Sequence, residues 1–168
     1  MSTFTPEQQD RLNALRAQFD DFVDTNQRLL RELFEQIGAT DIENLHRQPS
    51  AYVDTLDRWL GEQDLAAMDD DDRVWLAGRV GSLVGDVLIE RFAGRWMVCD
   101  RAESPNFLRY VVGDFKSGPG SSGGALTGAS TAMLTIDPFD RVRGLADGQA
   151  LSVAEVIGEL AMAVQTGQ

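Results

Sequence analysis

The sequence predicts an α+β fold, on three observations. Apolar residues recur at three- and four-residue steps through most of the first 92 positions, which is helical spacing. Three short runs rich in Val, Ile, Thr and aromatic residues follow at 95–100, 107–112 and 131–136, with the length and composition of strands. Capping signals at Asp137 and Ser152 then open helices near the carboxyl end. Helices first, strands next and helices last is the order of an α+β chain. The expected architecture is amino-terminal helices, one of them long, a small antiparallel sheet of about three strands, and two carboxy-terminal helices.

Thr5-Pro6-Glu7-Gln8 reads as a helix start, with Thr5 as N-cap, Pro6 at the first helical position and Gln8 closing a capping box. Behind it Leu12, Leu15, Phe19, Phe22, Leu29 and Leu33 form one stripe, with Asn26 in the gap; Ile37 extends it and Gly38 is the expected C′ residue. One helix over this span has about 32 residues and is about 48 Å long. A compact chain of this length is only about 40 Å across. The helix therefore overhangs, lies against a second copy of the chain, or breaks near Thr25-Asn26. A homodimer through the stripe would use Asn26 to set register. The acidic neighbours Asp20, Asp21 and Asp24 favour an antiparallel pair.

Thr40-Asp41-Ile42-Glu43 is a second capping box, opening a short helix that stops before Pro49. Ser50 caps a third segment carrying Tyr52, Val53, Leu56, Trp59 and Leu60, closed by Gly61. The run Asp69 to Asp72 precedes an apolar helix from Arg73 to about Phe92, ended by Gly94. Gly78, Gly81 and Gly85 share one face of it, although glycine in a helix costs up to ~1 kcal/mol relative to Ala. Three together imply that another backbone crosses close by, which makes this the central helix. A turn at Ser104-Pro105-Asn106 joins the first two strands, and a Gly/Ser-rich stretch, 113–130, is expected as a flexible loop before the third. Asp137-Pro138 caps a short helix to about Asp147, and Ser152-Val153-Ala154-Glu155 opens the last one.

The 168 residues suit one domain, read as an acidic helical segment (1–68) joined to an α+β core (69–168). With 43% hydrophobic and 25% charged residues the chain has a globular balance, not a disordered one. The formal charge is −12, which argues against nucleic acid or an anionic membrane as partner. That charge is not spread evenly. Residues 1–72 hold 17 acidic and 6 basic side chains, net −11, and residues 73–168 hold 10 and 9, net −1. Cys99 is the only cysteine, so no intrachain disulfide forms. Met1 to Asp10 has neither a basic region nor an apolar run, so no signal peptide is expected there, and the most apolar stretch, 80–89, is too short to span a bilayer. A cytoplasmic location is expected.

The motifs that suggest chemistry do not hold together. Gly120-Ser121-Ser122-Gly123-Gly124 matches the G-x-S-x-G nucleophile pattern, but His46 is the only histidine and falls in a helical segment. Gly118 and Gly123 have Walker spacing, yet Gly124 and Ala125 stand where Lys and Ser or Thr are needed. Counted from Asp69, the sixth and twelfth positions of a calcium loop are Val74 and Val80, so no such loop is present. The acidic run is read as a helix cap. Cys99, within an apolar strand, is read as a buried hydrophobe. Asp86, Glu90, Asp100 and Asp114 are the carboxylates available for an acid/base pair, and Trp59, Trp75 and Trp96 are read as packing anchors.

Leu76-Ala77-Gly78, Val84-Gly85-Asp86-Val87-Leu88, Gly94-Arg95-Trp96-Met97-Val98, Asp137-Pro138-Phe139 and Val142 resemble a group of small bacterial domains of unknown function. These share a glycine-bearing helix, a strand with Trp and a Pro-plus-hydrophobic element. The resemblance covers residues 76–143, less than half the chain, and implies a small α+β fold with no catalytic residue to carry over. The functional expectation is a non-enzymatic protein-binding module, immunity-protein-like or chaperone-like. Its acidic helical surface (Asp20, Asp21, Asp24, Asp69, Asp70 and Asp71) would receive a basic protein partner, without metal or cofactor. The alternative is a small-molecule-binding domain or hydrolase with a pocket near the 113–130 loop.

Overall fold

The computed structural model describes residues 4–116 and 134–167. Helix α1 (Pro6–Ala17) starts as its sequence dictates: Thr5 Oγ1 accepts from the Gln8 N–H at 3.2 Å, and Gln8 Oε1 accepts from the Thr5 N–H at 2.9 Å. The long stripe is not one helix. At Gln18 (φ −96°, ψ 3°) the chain leaves helical geometry, and α2 (Phe19–Gln36) begins after it. Thr25 and Asn26, where one of the three alternatives placed a break, lie inside α2.

The interruption follows from what the two parts cover. Helix α1 lies on the hairpin, where the Tyr110 hydroxyl donates to the Leu15 carbonyl at 3.0 Å and Arg16 pairs with Asp100 at 2.7 Å. Helix α2 buries Leu30, Leu33 and Phe34 in the main core. A straight rod does not reach both surfaces.

The capping box expected at Thr40 does not form. Asp41 adopts a left-handed conformation (φ 61°), its carbonyl receives the Tyr52 hydroxyl, and a 3₁₀ turn (Ile42–Asn44) follows. Ser50 is not a cap either. It lies in a 3₁₀ turn (Pro49–Tyr52), and its N–H donates to Glu90 Oε2 at 3.0 Å. Helix α3 (Val53–Gly61) then runs without a side-chain cap.

Helix α4 (Asp70–Phe92) is the central element, burying Leu76, Val80, Leu83, Val84, Val87 and Leu88. Asp69 Oδ1 caps it by accepting from the Asp72 N–H at 2.8 Å. The left-handed residue at its end is Ala93 (φ 48°), one before the expected Gly94. Of its three aligned glycines, two accept rings. A Cβ on Gly81 would come within 2.6 Å of Phe139 Cδ1, and one on Gly85 would overlap the Trp96 indole. Gly78 has nothing within 4 Å, and a backbone atom comes near only at Gly81 (Phe139 Cα, 3.2 Å), so what the glycines admit is chiefly rings and not the expected crossing backbone.

Strands β1 (Arg95–Val98) and β2 (Tyr110–Gly113) pair antiparallel, with Arg95 opposite Gly113 and Val98 opposite Tyr110. Both are shorter than their sequence runs. Cys99 and Leu108–Arg109 carry the pairing one step further, and residues 101–107 form turns. The expected third strand is a single antiparallel bridge, Ile136 to Val112, with backbone bonds of 2.8 Å in both directions; residues 131–133 lie outside the described residues. Gly113 ends β2 and is not part of a loop; residues 117–130 of the Gly/Ser stretch also lie outside the described residues.

Asp137 caps α5 (Pro138–Arg141), accepting from the Phe139 and Asp140 N–H groups. The helix expected to reach Asp147 stops early and gives way to a 3₁₀ turn (Arg143–Leu145). Helix α6 (Val153–Thr166) opens at Ser152 as its sequence indicates. Among the described residues the fold is thus α+β, mostly helical, with six α-helices and a two-stranded antiparallel sheet. One apolar cluster runs from Leu30 to Val164, so the acidic segment supplies part of the core. No described helix is long and apolar enough to cross a membrane.

Candidate functional site

The acidic front divides into two separate groups. Asp20 and Asp21 open α2 and Asp24 follows one turn later. All three are exposed, and none is bonded to a described side chain. At the start of α4, Asp69 is occupied as the cap and Asp70 pairs with Arg73, while Asp71 projects unpaired. Phe22 of α2 meets Trp96 edge-on at 5.5 Å, and Trp96 lies over Gly85. Gly85 is about 22 Å along α4 from Asp70 at 1.5 Å per residue. The six aspartates therefore do not form one patch. Asp54 and Glu62 add exposed, unpaired carboxylates between them in sequence and Asp72 one just after, and the charge split was the signal for these.

The second half of the chain treats its charges differently. Arg95 pairs with Asp114 at 2.5 Å, Arg109 with Asp137 at 3.0 Å, and Arg143 with Asp140. Arg79 stacks over Trp75, 4.5 Å from the ring centroid, and donates to its carbonyl. Burial lowers the Arg79 pKa, Glu32 opposes that shift and Arg28 adds to it.

A cleft of about 540 Å³ lies between the end of α3 and residues 148–152. Asp57 of α3 sits at its edge, accepting from the Val153 N–H at 2.6 Å, the Ala154 N–H at 3.0 Å and Ser152 Oγ at 3.2 Å. It thereby satisfies two N–H groups at the start of α6 and places its charge at the favourable end of the helix dipole. Neither Asp57 nor this cleft was legible in sequence, because the pairing spans 95 residues.

A second hollow, about 360 Å³, is lined by Phe22, Asn26, Arg109, Tyr110, Asp137 and Phe139. Around it the rings form a lattice. Phe22 stacks on Tyr110 at 3.9 Å and meets Phe139 at 6.1 Å, and Trp96 stacks on Phe139 at 5.7 Å. Burial raises the Tyr110 pKa above its ordinary value. The aligned glycines of α4 were the sequence signal for this lattice, through the rings they admit.

The groups considered for catalysis are dispersed. His46 Nδ1 is 3.9 Å from Asp86 Oδ2, and Asp86 Oδ1 accepts the Trp96 indole N–H at 3.0 Å. Glu90 receives the Ser50 N–H, Asp100 binds Arg16 and Asp114 binds Arg95. Each of the four candidate carboxylates is thus engaged by a different partner. Cys99 is buried. Ser122 lies outside the described residues, and no group of three or more potential metal ligands is assembled among them.

Comparison with protein-family models, with curated proteins and with solved structures finds no match. Nothing in those comparisons bears on the resemblance read over residues 76–143.

Proposed function

We propose that the chain is a non-catalytic protein-binding module whose acidic front receives a basic protein. One observation carries the reading. Among the described residues, exposed carboxylates without a side-chain partner, such as Asp20, Asp21, Asp24 and Asp71, are more numerous before Arg73 than behind it, where Glu103, Asp147, Glu155 and Glu159 are unpaired but Asp114, Asp137 and Asp140 are paired with arginine. Unpaired surface charge of one sign raises the association rate with an oppositely charged partner and makes the complex salt-sensitive.

The test uses the full chain, because residues 1–68 supply Leu30, Leu33, Phe34 and Leu56 to the core and their removal would expose it. Asp20, Asp21, Asp24, Asp69 and Asp71 are replaced together by Asn, which keeps the α4 cap functional. The unmodified chain should retain a basic protein at low salt, releasing it as salt rises, and the neutralised chain should not. Equal retention by both at every salt concentration overturns the proposal.

The second reading is a small-molecule site. Its supporting observation is the cleft beside Asp57; residues 117–130, where a pocket was expected, lie outside the described residues. A ligand found by thermal-shift screening and lost with changes to that cleft would favour it.

A further inference from the structure

Among the described residues, strand β1 is paired along one side only. The Cys99 N–H donates to the Arg109 carbonyl, and Val112 exchanges both of its outer backbone bonds with Ile136, on the side away from β1. Ladder bonds alternate along an antiparallel pair, so Arg95, Met97 and Cys99 turn their N–H and C=O groups toward β2. Trp96 and Val98 turn theirs the other way, and no described residue bonds to them. They face a hollow of about 340 Å³, lined by β1 itself with Arg16, Phe19 and Asp100. Trp96, Met97 and Val98 are only partly buried, so the edge is open to another extended backbone.

The edge is complementary to itself. Its free backbone groups stand one residue to either side of Met97. A two-fold axis at Met97 therefore opposes Trp96 of each copy to Val98 of the other, and both pairs exchange N–H and C=O. The ends of the strand also match. Arg95 stands at one end and Asp100 just past the other, and antiparallel pairing sets Arg95 of each copy beside Asp100 of the other. Arg95 binds Asp114 through Nε and Nη2, and Asp100 binds Arg16 through Oδ2, so Nη1 and Oδ1 are left without a partner among the described residues. A uniformly basic segment would instead meet Arg16 and Arg95 along the same strip. The stripe of α1 and α2 offers no comparable face, since Leu12, Leu30 and Leu33 are buried within the chain.

We infer that the β1 edge is the pairing surface for a second copy of this chain, which joins two hairpins into one antiparallel sheet. The inference goes beyond the acidic front, since none of Asp20, Asp21, Asp24, Asp69, Asp70 and Asp71 lines the hollow.

A pairing made of a few backbone bonds belongs with weak, transient interfaces. The full chain is therefore followed by sedimentation and amide hydrogen exchange from about 20 µM to about 1 mM. Its mass should rise toward that of a dimer, and the Trp96 and Val98 amides should gain protection as it does. The Met97 amide, turned to β2, should be protected at every concentration. Val98→Pro removes an N–H that β2 does not use, a change that an edge strand tolerates. It takes away half of the new backbone bonds and should weaken the dimer at least about tenfold. Met97→Cys keeps every backbone group and sets the two thiols across the axis, where oxidation should join the copies. The unmodified chain, whose Cys99 is buried, should not be joined. A chain that stays monomeric at about 1 mM overturns the inference and leaves the edge to an extended segment of another protein. So does a dimer in which exchange at Trp96 and Val98 ignores concentration, a folded Val98→Pro chain that pairs undiminished, or a Met97→Cys chain that oxidation leaves unjoined.

Discussion

Residues 1–72 carry 17 acidic and 6 basic side chains and residues 73–168 carry 10 and 9, yet both halves feed a single apolar cluster. In the front, Asp20, Asp21 and Asp24 on α2 and Asp71 at the α4 start meet no cation, although Glu32, Glu35 and Asp70 are paired with arginine. In the back, arginines are matched to aspartates across the hairpin and α5, and the central contacts are aromatic rings set on glycine. The difference teaches where each kind of substitution should register. Changes to the back should be read in stability, and changes to the front chiefly in binding and its salt dependence.

The largest expected effects therefore lie under the rings. Trp96 contacts Phe22, Phe139 and Gly85 and donates to Asp86, so Trp96→Ala should lose about 3 kcal/mol of unfolding free energy in a denaturant titration. Gly85→Ala should lose about 2 kcal/mol, because the new methyl overlaps the indole by more than helix propensity returns. The double variant should be no less stable than Trp96→Ala alone, since removing the indole makes room for the methyl. Additive losses would mean that the glycine serves something other than the ring.

Asp57→Ala comes next, at about 1–2 kcal/mol, because α6 loses the acceptor for two of its first N–H groups. Asp57 belongs to the acidic half, so this is the carboxylate whose loss should break the simple division between the halves. Gly78→Ala should move the other way, gaining up to about 1 kcal/mol, for the site is open and alanine favours the helix. A destabilised Gly78→Ala would show that its face is covered in solution.

How much of this was legible in the sequence depends on the range of the interaction. Thr5–Gln8, Asp137 and Ser152 were legible because a cap is settled within four residues of itself, while the Asp69–Asp72 run was read as an acidic cap but with the helix starting at Arg73, three residues late. Thr40 and Ser50 look equally suited to capping, but Tyr52 holds the Asp41 carbonyl and Glu90 takes the Ser50 N–H, so tertiary contacts decided there. The helix interruption at Gln18 carries no Gly or Pro to mark it, and arises from what α1 and α2 each cover. Gly81 and Gly85 announced a close approach without naming Phe139 and Trp96. The acidic front was legible as a charge count, but its division into two groups was not, since helix packing sets the separation.

The smallest expected effect is the sharpest check on the front, because two terms oppose each other there. Asp20 and Asp21 sit in the first turn of α2, where a negative charge is favoured by the helix dipole by about 0.3–1 kcal/mol. Asp24 lies beyond that turn and, four residues from Asp20, repels it by about 0.2–0.5 kcal/mol. Arg28, four residues further on, is turned to Glu32 at 2.9 Å and does not relieve this. Asp24→Asn should therefore stabilise the fold by a few tenths of a kcal/mol. Asp20→Asn and Asp21→Asn, which each lose both the dipole term and the repulsion from Asp24 four or three residues away, should change little. All three effects should fade as salt is raised, because these side chains are exposed. Losses above about 1 kcal/mol at any of them would mean that these aspartates hold the structure together, and the front would no longer be free surface charge.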